Sequence, residues 1–375
     1  MKKIFAVVVF LIVTSCSSSE NYFEGEIIVY DSFLINGELN SMDTLPVSII
    51  GIGSLSLQDS LLLINTSGQK ANLSIFNLNN YEISENICLT GRGPDEYVFF
   101  LNYGQYTQDF DKICLYTFNA NLSAPILNVS DSWQKNRTVI EEEKKNLKIF
   151  EDVGGLIFRE GVFFLNNNNI FVKYKTSYRD VRDNIYQPAE YAIFNAQGDK
   201  KIIKFFGKDL PYNPQFPKLM ELIYNGSTRI KPDGSRIVDG MFYMDYINFI
   251  DLEEKSAFGL RYHDALSYED LKKISEEEYS KKAKYAYNDL FVTDNYVFGL
   301  YRGDYKIADS QDKFANMCLR IFDWEGTPLA SLKTDRTIVS IAFNEKSNLL
   351  YALDTEEKIY IYDLNETMSK INHAI

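Results

Sequence analysis

Histidine is almost missing from this chain. Its 375 residues include two, His263 and His373, and the second lies in the terminal tail. One usable imidazole leaves no material for a multi-histidine metal site and little for a histidine-based catalytic triad. Cysteine is scarce as well: four residues, none in a Cys-x-x-Cys pair, so a zinc ribbon or dithiol redox motif has no support. Nine prolines and no low-complexity tract argue against long linkers. The formal net charge of −13 repels phosphate backbones, so nucleic acid is not an expected partner. No EF-hand loop with its Asp-x-Asp-x-Asp-Gly spacing occurs. No metal and no cofactor is implied, and no motif names a substrate.

Aromatics, by contrast, are abundant. The 26 Tyr and 26 Phe suit strands, because flat side chains pack well on a pleated surface. The length allows one large all-β domain or two smaller ones.

The N-terminus carries the most specific local signal. Met1-Lys2-Lys3 is a basic start, and Ile4 to Val13 is an apolar run of signal-peptide length, too short to span a bilayer. It ends in Val13-Thr14-Ser15-Cys16, which resembles the bacterial lipobox, where the cysteine is lipidated and becomes the mature N-terminus. Residues 1–15 are therefore expected to be a lipoprotein signal peptide, Cys16 the lipidation site and 16–25 a polar tether. Acyl chains contribute about 0.8 kcal/mol per buried methylene, so two or three of them anchor a protein durably to a membrane. Cys88, Cys114 and Cys318 sit in apolar, strand-like surroundings and are expected to be buried free thiols.

Organisation is clearest at the end of the chain. Ile338–Phe343, Leu349–Leu353 and Lys358–Leu364 are three short apolar strands joined by polar turns. Their closing pattern, two apolar residues followed by Asn or Asp and a turn, recurs near Phe76, Tyr116, Phe194, Phe249 and Phe322. Asn or Asp closes such a turn through side-chain bonds and tolerates positive φ. Six units of this kind predict an all-β six-bladed β-propeller over residues 26–375 with short helical insertions. A jelly roll or pair of sandwiches is the competing architecture. Three insertions are expected: a solvated charge run at Glu141–Lys145, a short helix from Lys218 to Tyr224, and a longer helix from Ser267 to about Tyr287, capped by Ser267 and Asp270. The last unit is one strand short, and the early strand Glu26–Leu34 is expected to close the ring by pairing with 338–364.

The stretch Gly91-Arg92-Gly93-Pro94-Asp95-Glu96-Tyr97, with the lipobox and the six repeats, resembles the TolB-like six-bladed propeller lipoproteins common in Bacteroidetes. There the signature is Gly-Arg-Gly-Pro-Gly-Glu-aromatic; here Asp95 replaces a glycine. The resemblance spans essentially the whole mature chain, but the motif marks a family rather than a reaction. It implies a lipoprotein of the cell envelope, at the outer membrane on its periplasmic or surface face. The implied partner is an envelope protein, a glycan or a peptide. Gly91 and Gly93 permit positive φ around Arg92, and Pro94 fixes the exit. Two readings of Arg92 stand: a structural clamp on carbonyls or on Glu96, or a guanidinium that grips an anion at the central mouth.

Two similar segments place Arg and Tyr beyond an apolar strand: Arg261, Tyr262 and His263 in one, Tyr301 and Arg302 in the other. Such strand ends can reach a propeller mouth, where Arg and Tyr favour recognition. No catalytic residue is assigned. The sequence lacks the Asp-box of sialidase-type propellers, kelch diglycines and the Gly-His…Trp-Asp set. Its leading reading is a binding or protein-interaction module. The alternative is a glycoside hydrolase or lyase using two mouth carboxylates about 5–9 Å apart.

Overall fold

The computed structural model describes residues 24–93, 96–97, 100–106, 112–117, 124–144, 157–165, 169–175, 190–195, 200–203, 213–216, 219–223, 225–305 and 317–374. The signal peptide, Cys16, most of the tether and Pro94 lie outside the described residues. Strands dominate, arranged in six sheets of four or five strands each. Each sheet is one blade of a ring. The innermost strands, in order, are Ile52–Gln58, Phe100–Tyr106, Ile157–Phe164, Gly226–Ile230, Tyr287–Val292 and Ile338–Asn344.

Blade stacking explains the apolar runs. A middle strand such as Leu61–Thr66 has neighbours on both faces, so Leu61, Leu62, Leu63 and Ile64 are all buried. The apolar clusters accordingly lie between blades: Val162, Phe171 and Tyr191 against Ile237, Tyr246 and Ile250 for the third and fourth, and Ala342, Tyr351 and Leu353 against Leu55, Leu62 and Phe76 for the sixth and first.

The recurrent Asn or Asp works as the sequence predicts. Asn77 Oδ1 accepts from the Asn79 amide at 2.9 Å, Asp251 Oδ1 from Glu253 at 3.0 Å, Asp323 Oδ1 from Thr327 at 2.7 Å and Asp363 Oδ1 from Asn365 at 2.7 Å. In five blades this pattern closes the third strand. Near Tyr116 it falls on the second strand of its sheet, Lys112–Thr117, so that match is displaced by one strand.

Ring closure differs from the sequence expectation. Glu24–Tyr30 pairs in parallel with Ser256–Tyr262, at the outer edge of the fourth blade. Ile35–Leu39 then pairs in parallel with the outer strand of the fifth blade, from Ile35↔Ala330 to Leu39↔Thr334. Only Ser41–Thr44 completes the sixth blade, antiparallel to Ile359–Asp363. The N-terminal segment is thus a strap around three blades. The reason is packing: Tyr30 and Phe33 wedge against Phe322 with ring centroids 6.1 and 5.5 Å away, between the fourth and fifth blades.

Two insertions also differ. Ile140–Lys144 is the outer strand of the second blade, not a charge run beyond the sheets, and its backbone pairing with Ala124–Asn128 holds it there. The helix from Ser267 is two short helices, Tyr268–Leu271 and Glu276–Lys282. The Ser267–Asp270 capping box is present, but Ser275 caps a new helix through the Glu278 amide. Leu271, Ile274 and Tyr279 are buried in the third–fourth blade cluster. The short helix after Phe216 forms at Leu219–Ile223. Cys88 is a buried free thiol, its pKa pushed up to about 12 by burial, and Cys318 is a partly buried one.

Candidate binding sites at the two mouths

Among the described residues, the innermost strands of the first, second, fourth and fifth blades approach one another closely. Ser54, Ser56, Gly104, Arg229, Leu290 and Val292 leave a gap of about 20 Å³. Arg229 is fixed there by Asp289 at 2.7 Å and by the Thr228 carbonyl at 2.9 Å. Asp289 also accepts from Ser340 at 2.8 Å and the Ile341 amide at 3.1 Å, while Leu55 donates to Ser340 at 3.1 Å. Four innermost strands are therefore stitched together through one buried carboxylate. Burial pushes the Asp289 carboxyl up; Arg229, Ser340 and the Ile341 amide counter part of that.

Where the innermost strands end, the ring opens into a cavity of about 390 Å³, here called the lower mouth. Leu57, Phe291, Val292 and Phe343 supply apolar lining, and Asp59, Asp294, Glu345 and Lys346 supply charge. The turns that carry these residues are tied together: Asn344 Nδ2 donates to the Asp59 carbonyl at 2.9 Å, and Lys346 Nζ to Asp59 Oδ1 at 2.5 Å. The rim stands in solvent, with the Lys346 and Asp59 side chains 80% and 64% exposed. No signal short of the assembled ring could have found this site, because its lining comes from four blades.

At the opposite, upper mouth, three segments lie side by side. The Ala286 amide donates to the Phe242 carbonyl, Arg302 to the Ala286 carbonyl and Gly303 to the Tyr285 carbonyl, at 2.8–2.9 Å. This brings Phe242, Tyr243 and Tyr285 into one aromatic group, with centroids 4.8–5.7 Å apart. Arg302 stacks on Tyr285 at 4.2 Å and is held bidentately by Asp304, both bonds 2.9 Å.

Of the residues singled out in sequence, only Arg302 belongs to that group. Arg261 turns back to the Ala265 carbonyl at 2.7 Å, and His263 is exposed at the outer end of the fourth blade beside Tyr262. Tyr262 and Tyr301 instead meet around Arg320, a residue the sequence reading missed. The Arg320 guanidinium lies 5.3 Å from the Tyr262 ring and 3.3 Å from that of Tyr301. It bonds Asp245 at 2.8 Å, and Tyr301 donates to the same carboxylate at 2.7 Å. Burial alone would lower the Arg320 pKa, but Asp245 and the surrounding tyrosines hold it well above its ordinary value; burial also pushes the Tyr287 hydroxyl up to about 12. This is a lock between the fourth and fifth blades.

The Gly91–Tyr97 turn is a local clasp. Glu96 Oε2 accepts from the Gly93 amide at 2.8 Å, and a Cβ on Gly91 would sit 1.9 Å from that oxygen. Asn72 Nδ2 donates to the Tyr97 carbonyl at 3.1 Å. Arg92 is exposed, and it is the Gly93 backbone that Glu96 holds.

Residues 54–346 match the family described as TolB-like 6-blade propeller-like. The chain belongs to the TolB-like six-bladed propeller family. A crystal structure of a member of the DUF4221 family from Bacteroides vulgatus is similar to this TolB-like propeller, with TM-score 0.51 and 14% identity over 87% of this chain and 97% of that one. The Cps50 (Swd1) β-propeller domain of Myceliophthora thermophila aligns with TM-score 0.41 and 10% identity, over 86% of this chain and 99% of that one. No curated protein matches. At these identities the likeness to the solved structures concerns the fold alone.

Proposed function

We propose that this TolB-like propeller is a lipid-anchored, extracytoplasmic binding or protein-interaction module of the cell envelope, which holds a ligand or partner at a mouth of the ring without transforming it. The lower-mouth cavity carries this reading. Its 390 Å³ falls in the range of small-ligand sites, and its apolar lining with a charged rim suits recognition. A glycosidase needs one carboxyl kept protonated by desolvation opposite a second. Asp59, Asp294 and Glu345 at this rim are all exposed, and Asp59 is already paired with Lys346. Membrane attachment rests on the Val13-Thr14-Ser15-Cys16 sequence.

The experiment is calorimetry and product analysis on one purified mature protein, run against a panel of polysaccharides, oligosaccharides and peptides. Saturable binding with no released product is expected; catalytic turnover of any glycan would overturn the reading. In cells, Cys16→Ala is expected to abolish fatty-acid labelling and move the protein from the membrane to the soluble fraction.

A further inference from the structure

The lower mouth has a definite charge preference. Its lining holds three carboxylates, Asp59, Asp294 and Glu345, against one ammonium, Lys346, and that ammonium is already bonded to Asp59. Beside the cavity, Lys231 and Asp233 flank Pro232 and pair with each other at 2.8 Å, so they add no net charge. The lining therefore presents two net negative charges above an apolar interior with two aromatic rings, Phe291 and Phe343. The chain as a whole, at −13, adds a field of the same sign. An anion would be repelled by that field. A neutral apolar molecule would give no counter-charge to Asp294 or to Glu345, whose Oε1 accepts from the neutral Asn295 amide at 3.4 Å. An organic cation with an apolar body satisfies both parts: its body displaces water from Leu57, Val292 and the rings, and its charge meets the rim.

We infer that the lower mouth is a binding site for small organic cations with an apolar or aromatic body, of the arylalkyl-ammonium class. The inference rests on the binding-module reading above and names the ligand chemistry of that same cavity.

Three probes of nearly equal size and shape separate charge from shape: tyramine (cationic), tyrosol (neutral) and 4-hydroxyphenylacetate (anionic). Affinities are measured by calorimetry on the mature protein. Tyramine is expected to bind more tightly than tyrosol, with 4-hydroxyphenylacetate weakest, and the tyramine preference shrinks as salt is raised. Asp294→Asn and Glu345→Gln are each expected to weaken tyramine about two- to fivefold and leave tyrosol unchanged, as befits single exposed charges. Lys346→Met is expected to act in the opposite direction, because it frees Asp59, and to tighten tyramine by a similar factor. These positions are on the exposed rim, and unchanged circular dichroism shows that the fold is kept.

Equal binding of tyramine and tyrosol, stronger binding of the anion, no binding of any probe, or weakening by Lys346→Met would each overturn the cation assignment. None of these touches the binding-module reading, which fails only on turnover of a substrate.

Discussion

The Arg320–Asp245 pair offers the sharpest energetic test of how the ring is held. Both side chains are almost fully buried, 6% and 3% exposed, and the guanidinium cannot shed its proton to escape an unpaired state. Asp245→Ala removes its counter-charge and leaves it ring faces and, as hydrogen-bond partners among the described residues, the Tyr30 and Tyr287 hydroxyls, at 3.3 Å each. Stranding a buried charge costs about 3–5 kcal/mol, whereas replacing both partners by apolar groups is often neutral. The expected result is therefore non-additive. Asp245→Ala loses about 3–5 kcal/mol, and adding Arg320→Met to it recovers at least about 2 kcal/mol of that loss. Equilibrium urea unfolding measures this, with Trp324 fluorescence as a local probe, since its ring packs in the same inter-blade cluster. If Asp245→Ala loses less than about 1 kcal/mol, or the double variant is as unstable as the sum of the singles, the pair is not desolvated and the lock is refuted.

Other outcomes follow from the same contacts. Phe33→Ala, which removes a buried ring from the strap, is expected to cost about 3 kcal/mol and to perturb Trp324 before Trp133; an effect below about 1 kcal/mol would mean the strap is not seated between the blades. Burial pushes the Asp335 carboxyl up, but hydrogen bonds from Arg336, Tyr362 and Ser41 outweigh it and hold the pKa well below the ordinary range. Its stabilisation is thus fully present above about pH 4, the unfolded value, and is lost as pH falls through the depressed folded value. Asp335→Asn should therefore be destabilising at pH 7 and lose that penalty in strong acid; a pH-independent difference would contradict this. Glu96→Ala, which frees the Gly93 amide, is expected to lose about 1–2 kcal/mol in urea, while Arg92→Ala changes stability little. The reverse order would restore the arginine clamp.

Much of the fold was legible because its cause is local. Asn77, Asp251, Asp323 and Asp363 close turns with their own side chains, within a few residues, so the repeat shows in the letters. The Ser267–Asp270 capping box is local in the same way. The misreadings have one source. Glu141–Glu142–Glu143 resembles a solvated run by composition, yet a neighbouring strand gives its backbone a ladder. The helix from Ser267 reads as one because its apolar spacing continues past Ser275, which caps a second. Tyr262 and Tyr301 stand out for their chemistry, but their roles depend on Arg320, and nothing near them announces it.

By itself, then, the sequence determined the architecture: short strands, Asx-closed turns and six units that must stack to bury both faces of each sheet. It also pointed to Glu96 as a partner within the Gly91–Tyr97 turn, although the group held there is the Gly93 amide and not Arg92. Only the tertiary structure decided where the N-terminal segment goes, since parallel pairing with 256–262 joins residues far apart in the chain. The same holds for the lower mouth, where Asp59, Asp294 and Lys346 meet only because a closed ring brings the first blade beside the last. Local bonds are written in adjacent letters, whereas a site on the axis of a ring exists only once every blade is in place.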